Sequence, residues 1–248
     1  MRAGPLRFVY RVASSGLAML LAFAVPAQAM KVTPFKVRLE PSGYQSSQLF
    51  AVENDSDRKI AVELNAVTRD LDAEGHETNA DASADFSIYP SQVIIEPHSS
   101  KSVRVQWNGP AQVAQEKAYR LIAEELPINL DPGKDGTAVR FLVQYRCALY
   151  ITPPQAKSNV QMTTHVVDGH TLNFTLANSG TAHSLIKNFA LELTDSAGKT
   201  HELSDPKVLE RVNSEVLMPG AERRFSVLMP ADAGVDVKDV TFHFAEAF

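Results

Sequence analysis

The stretch Ala138 to Pro154, AVRFLVQYRCALYITPP, decides the fold. In an extended chain Val139, Phe141, Val143, Tyr145 and Cys147 share one face, and Arg140, Leu142, Gln144, Arg146 and Ala148 share the other. The first face is continuously apolar; the second mixes apolar and charged residues. At about 3.3 Å per residue, a strand over 138–151 would run about 40 Å, twice the usual length. Such a strand outgrows a small sandwich, so part of it is expected to stand out as an edge. Pro153 and Pro154 then end it, because proline cannot donate to a ladder. Two readings stay open from the pattern alone. One is an ordinary buried final strand. The other is an exposed apolar edge kept for pairing with a second chain.

Working outward, the same kind of signal recurs. Val32 to Leu39, Leu49 to Val52, Ile60 to Val67, Val93 to Ile95, Val103 with Val105, and Leu121-Ile122 are short apolar or β-branched runs. Ile60, Val62 and Leu64 alternate with Ala61, Glu63 and Asn65, which puts one face on a core and the other in water. Turn residues separate the runs, as at Asn54-Asp55-Ser56-Asp57. After the double proline come Val160 to Val167, Leu172 to Ala177, Ser184 to Leu193, Arg223 to Met229 and Val240 to Phe244, with Asp168-Gly169 as a hairpin turn. No sustained helical period appears beyond residue 29. The pattern predicts an all-β chain of two sandwiches, residues 30–152 and 158–248, joined by a linker at 153–157. The polar, acidic segment 70–85 reads as a mobile loop.

Residues 1–29 have the three parts of a secretory signal peptide. Arg2, Arg7 and Arg11 give a positive start, Leu17 to Val25 an apolar run, and Ala27-Gln28-Ala29 the small residues of a cleavage site. The apolar run is too short for the roughly 30 Å of a bilayer core. The expected product is exported and soluble, and in a Gram-negative cell its compartment is the periplasm. The net charge of −5 argues against a nucleic-acid partner. Cys147 is the only cysteine, which excludes an internal disulfide and a multi-cysteine metal site.

The sequence lacks the G-x-S-x-G, Walker-type and dinucleotide-binding signatures, so no enzyme, cofactor or small-molecule substrate is expected. Its seven histidines are scattered and suggest no metal. His165 and His170 flank a turn where they could face each other, but no carboxylate or thiol nearby completes a metal set, so they read as two exposed turn histidines. Glu124 and Glu125 are adjacent, so on a strand they point to opposite faces and cannot act as an acid/base pair.

The segment Tyr119 to Ile128, YRLIAEELPI, resembles the strand before the donor strand in periplasmic pilus-assembly chaperones of the chaperone–usher pathway, particularly its archaic branch. Around it, Val93 to Pro97 followed by Val103-Arg104-Val105 resembles that family's D–E hairpin. Asn54, the long strand 138–151 and the double proline also fit. The resemblance covers the first domain well and the second only by length and β character.

The resemblance implies two immunoglobulin-like domains in a boomerang arrangement. It also implies a chaperone that binds, folds and caps pilin subunits by donor-strand complementation, then delivers them to an outer-membrane usher. Val139, Phe141, Val143 and Tyr145 would enter the client's groove. Basic residues would anchor the client's terminal carboxylate: Arg120 first, then Arg38, Lys36 and Arg146. The lysine that better-known members carry on the donor strand falls at Ala148, so their anchor does not transfer intact. A free edge of this kind also invites self-association. The competing reading is a periplasmic immunoglobulin-like binding or structural protein, such as an adhesin domain or secretion accessory, without chaperone activity.

Overall fold

Apolar residues at every second position drive the chain into strands, whose buried faces then meet. The structure, a computed structural model, describes residues 30–128, 130, 142–229 and 237–246. The signal segment 1–29, and Val139 and Phe141 with it, lie outside the described residues.

The first unit contains β1 (Met30–Thr33), β2 (Lys36–Leu39), β3 (Ser47–Asn54), β4 (Ile60–Thr68), β5 (Asp70–Leu71), β6 (Glu77–Thr78), β7 (Phe86–Tyr89), β8 (Gln92–Ile95), β9 (Ser99–Trp107), β10 (Lys117–Glu125) and β11 (Gln144–Ile151). One sheet runs β1-β3-β9-β7 and the other β2-β11-β10-β4-β8. Phe50, Val52, Val103 and Val105 of the first meet Leu64, Ile95, Leu121, Leu149 and Ile151 of the second in one core. The second unit contains β12 (Val160–Asp168), β13 (Thr171–Asn178), β14 (Ser184–Asp195), β15 (Thr200–Leu203), β16 (Val216–Leu217), β17 (Glu222–Leu228) and β18 (Val237–Glu246). Its sheet β12-β13-β17 faces the group in which β15, β16 and β18 all pair with β14. Leu172, Phe174, Leu176, Phe189, Leu191 and Phe225 lie in its core. The architecture is all-β.

One device closes an end of each sandwich. Asn54 is buried, and its amide donates to the carbonyls of Arg58, Ile95 and Glu96 at 2.7, 3.1 and 3.0 Å. Its oxygen accepts from the Ser56 amide and hydroxyl. Asn178 does the same in the second unit, donating to Ala182 and Leu217 and accepting from Asn159 and Gly180. Each side chain satisfies backbone groups that would otherwise be buried unpaired.

Three expectations are corrected. The described strand begins at Gln144 and is 8 residues long; Leu142 and Val143 are not strand, and 138–141 lie outside the described residues. Segment 70–85 is not a loose loop. It forms the small β5–β6 hairpin and a 3-10 turn at Ser83–Asp85. The Asp72 carboxylate closes that hairpin by accepting from the amides of Glu74 and His76. The Val93–Val105 region is not a paired hairpin: β8 pairs with β4, while β9 pairs with β3 and β7 in the opposite sheet. Positive φ at His98 marks the crossing between them. His165 stands opposite Phe174 and His170 lies in the turn, both exposed, in keeping with two surface histidines beside a turn.

Candidate functional site: a basic face beside an open strand edge

β11 has two different neighbours along its length. On one side it pairs antiparallel with β10 from Gln144↔Glu124 to Ile151↔Lys117. On the other side β2 pairs in parallel, but only from Ala148↔Lys36 to Ile151↔Leu39. The Ala148 amide donates to the Phe35 carbonyl at 2.9 Å, where β2 begins. Among the described residues, no strand lies beside Gln144 to Cys147 on that side. Among the described residues, the backbone groups facing that side form an open lane, a template for an added strand, in which the Arg146 carbonyl accepts only a long contact from Arg120 Nη1 at 3.5 Å.

Alternation assigns the two faces of β11. Cys147, Leu149 and Ile151 point into the core and are fully buried. Burial pushes the Cys147 thiol up to about 11, although Arg120 opposes that shift. Arg146, Ala148 and Tyr150 point outward with Lys36 and Arg38 of β2 and Arg120 of β10. All four sequence-derived anchor candidates therefore lie on one face. Val143 and Tyr145 are half-buried and pack against the first core.

The structure adds two residues that sequence reasoning missed, Arg69 and Glu77. Glu77 stands on β6 and accepts from three guanidinium groups. Arg120 donates from Nη2 at 2.6 Å and from Nε at 3.1 Å. Arg69 donates from Nε at 2.9 Å and Arg146 from Nη2 at 2.9 Å. Burial would raise the Glu77 pKa, but hydrogen bonds from Arg120, Arg146, Asn79 and Arg69 hold it far below the usual carboxylate range. Arg69 also donates to the Tyr150 hydroxyl at 2.7 Å. A hairpin was legible in principle from Asp72 to Gly75, a turn-forming run between Leu71 and Thr78. That Glu77 would land on arginines from three strands was not.

Lys36 and Arg38 form the other half of the face. The Lys36 ammonium lies 5.9 Å from the Tyr150 ring centre. Burial, with Arg38 alongside, lowers its pKa, and Glu116 opposes the shift. Arg38 Nε is 3.9 Å from Glu116. Glu116 is buried where the two units meet. It accepts from the His183 amide at 3.0 Å, from His183 Nδ1 and from the Thr152 hydroxyl at 2.7 Å. Burial would raise its pKa, but the His183 and Thr152 contacts hold it below the ordinary value. The His183 ring stacks on Tyr150, with centroids 4.1 Å apart. Ala148 and Tyr150 pack against Met218 of the second unit, so the outward face of β11 is an interface at one end and a basic surface at the other. Glu124 is exposed, whereas Glu125 is buried against Arg58. Among the described residues, no group of His, Cys, Asp and Glu side chains is placed to hold a metal ion.

Comparison with known proteins bears on the family and the fold. Residues 31–157 match the family described as "Pili and flagellar-assembly chaperone, PapD N-terminal domain". The probable fimbrial chaperone EcpB of Escherichia coli O157:H7 is 27% identical over 221 residues, covering 87% of this chain and 89% of EcpB. Among solved structures, the class 5 fimbriae chaperone CfaA matches with a TM-score of 0.57 at 14% identity, over 87% of this chain and 98% of CfaA. The SafB chaperone, solved with the SafA pilin of Salmonella enterica, gives 0.53 at 14% identity, over 90% and 99%. At these identities the structural matches establish the two-domain fold, and the family match over residues 31–157 establishes membership. The chain belongs to the family of pili and flagellar-assembly chaperones.

Proposed function

We propose that this periplasmic chaperone of pilus assembly captures fimbrial subunits by lending them the edge of β11, and that the basic face at the end of that edge receives the subunit's terminal carboxylate. The observation that carries this reading is the open lane beside Gln144 to Cys147, which stops at the first residues of β2. A client strand filling the lane parallel to β11, as β2 does, would end beside Phe35 and Lys36. Its carboxylate would then arrive on the face that carries Lys36, Arg38, Arg120 and Arg146. Leaving that group desolvated without charged donors would be costly, and arginine can bind it through two hydrogen bonds.

Val139, Phe141, Val143 and Tyr145 supply the alternating side chains for the client's groove. Val139 and Phe141 lie outside the described residues; Val143 and Tyr145 keep part of their surface available. Each such side chain, once fully buried, contributes about 1.5–3 kcal/mol. The loaded chaperone then hands its client to an outer-membrane usher. The protein works by binding and is not a catalyst.

The test is co-expression with a fimbrial subunit followed by isolation of the complex. Phe141→Asp combined with Val143→Asp abolishes the complex while circular dichroism of the chaperone stays unchanged. Arg120→Ala weakens capture about 10- to 100-fold. Full capture by the double variant would eliminate strand donation through these residues. Unchanged capture by Arg120→Ala would remove that residue from the anchor.

A further inference from the structure

The β5–β6 hairpin touches both units. Its tip lies on β17 of the second unit: the Arg224 amide donates to the Ala73 carbonyl at 2.8 Å, and Arg224 pairs with Glu74 at 2.8 Å. Gly75, at φ +90°, sits so close to the Arg223 guanidinium that an added Cβ would fall 2.1 Å from its Nη2. The returning strand carries Glu77 onto Arg69, Arg120 and Arg146 of the first unit. The hairpin is therefore a strap fastened at both ends.

The strap's own ladder is short: β5 and β6 pair over only two residues each, Asp70↔Thr78 and Leu71↔Glu77. Its base is tied to β4, where the Thr68 amide donates to the Ala80 carbonyl at 2.8 Å and Val67 bridges Asp81. A two-residue ladder is not stable alone, so the outer part of the hairpin depends on its side-chain contacts. One end contact is a carboxylate on a cluster of arginines, which is also the chemistry a chain terminus would bring. Arg146 sits on the strand that borders the open lane, and Arg120 stands opposite Ala148, where β2 begins.

We propose that Glu77 is an internal stand-in for the client's terminal carboxylate: in the free chaperone it occupies the arginine cluster, and client capture displaces it and releases the hairpin from its hold between the two units. This rests on the carboxylate-anchoring reading above and adds a competitor to it. One carboxylate replaces another on the same donors, so the arginines are never left bare. Self-occupancy lowers affinity for short or incomplete clients. A client that also fills the lane overcomes it.

The experiment compares two synthetic ten-residue peptides of alternating valine and threonine ending in phenylalanine, one with a free carboxylate and one amidated. Binding to the full mature chain is measured by calorimetry, with amide hydrogen exchange at Gly75 and His76 recorded in parallel. Glu77→Gln keeps a hydrogen-bond acceptor but removes the competing charge. It should raise the preference for the acid over the amide by about tenfold or more. In the wild-type protein the acid should speed exchange at the hairpin tip. Gly75→Ala, which strains the left-handed tip and crowds the Arg223 guanidinium but leaves every charge in place, should raise the preference in the same direction, and it decides the matter if Glu77→Gln does not fold. An acid preference in the wild-type protein that stays equal or falls in both variants overturns the stand-in and leaves the anchor intact. Equal binding of acid and amide by the wild-type protein and both variants overturns the anchor and the stand-in together.

Discussion

Replacing Glu116 with alanine tests whether the junction between the two units is held by a buried ionic contact or by apolar packing alone. Glu116 and His183 are both completely buried. The substitution removes the acceptor of the His183 amide, of its Nδ1 and of the Thr152 hydroxyl. It also removes the carboxylate that faces Arg38. Removing the shared acceptor of three buried donors costs about 3–5 kcal/mol, at about 1–3 kcal/mol for each group left unsatisfied. Trp107 is the only tryptophan and lies in the core of the first unit, so its fluorescence follows the unit that carries Glu116. For an m-value of about 2 kcal/mol/M in urea, the expected loss moves the midpoint down by about 2 M. His183→Ala should cost a comparable amount, and the double variant clearly less than the sum, since the two side chains share one interaction. Glu116 also sets a pH window. Its pKa is lowered in the folded chain, so its contribution is present above the ordinary value of 4.5 and fades as pH falls through the lowered one. Single variants that each cost under about 1 kcal/mol and add without coupling would refute this account of the junction.

Three further outcomes follow from particular contacts. Cys147 should resist thiol reagents at pH 8 in the folded protein and react fully in urea, because burial pushes its pKa up to about 11; rapid labelling without denaturant would contradict its place in the core. Asn54→Ala strips donors from three carbonyls and should destabilise the first unit by about 2–4 kcal/mol in thermal melts, whereas Asn54→Asp, which keeps only the acceptor, should recover little of it. The stability difference between the wild-type protein and Glu77→Gln should be constant from pH 8 to pH 5. It should shrink below about 4.5, where the unfolded carboxyl begins to take up protons while the folded one stays ionised. A difference that instead grows on acidification would reverse the sign argued for Glu77.

Much of the site was legible residue by residue. The period-two pattern in 138–151 pointed to β11, and the YRLIAEELPI run to β10, which pairs with it. Arg38, Lys36, Arg120 and Arg146 were identifiable as basic residues at outward positions. Their convergence on one face follows from register, which depends on which strands pair. The parallel pairing of β2 with only the last part of β11 left the open lane. Nothing local to Lys36 or Ala148 encodes that pairing.

What the sequence determined by itself is the class of structure, because alternation and turn chemistry act over a few residues and need no distant partner. The two prolines mark the end of the long strand in the sequence, and β11 ends at Ile151, just before them. What only the tertiary structure decided is which charges meet. Segment 70–85 looks solvated because it is acidic and lacks apolar alternation. Yet Glu77 reaches Arg69, Arg120 and Arg146 across as many as 69 positions of chain, and the hairpin tip finds Arg223 and Arg224 in the other unit. Ion pairs carry no periodic signature. Their partners are chosen by the packing of strands that the hydrophobic pattern assembled first, so a charged segment can be read from sequence but its counter-charge cannot.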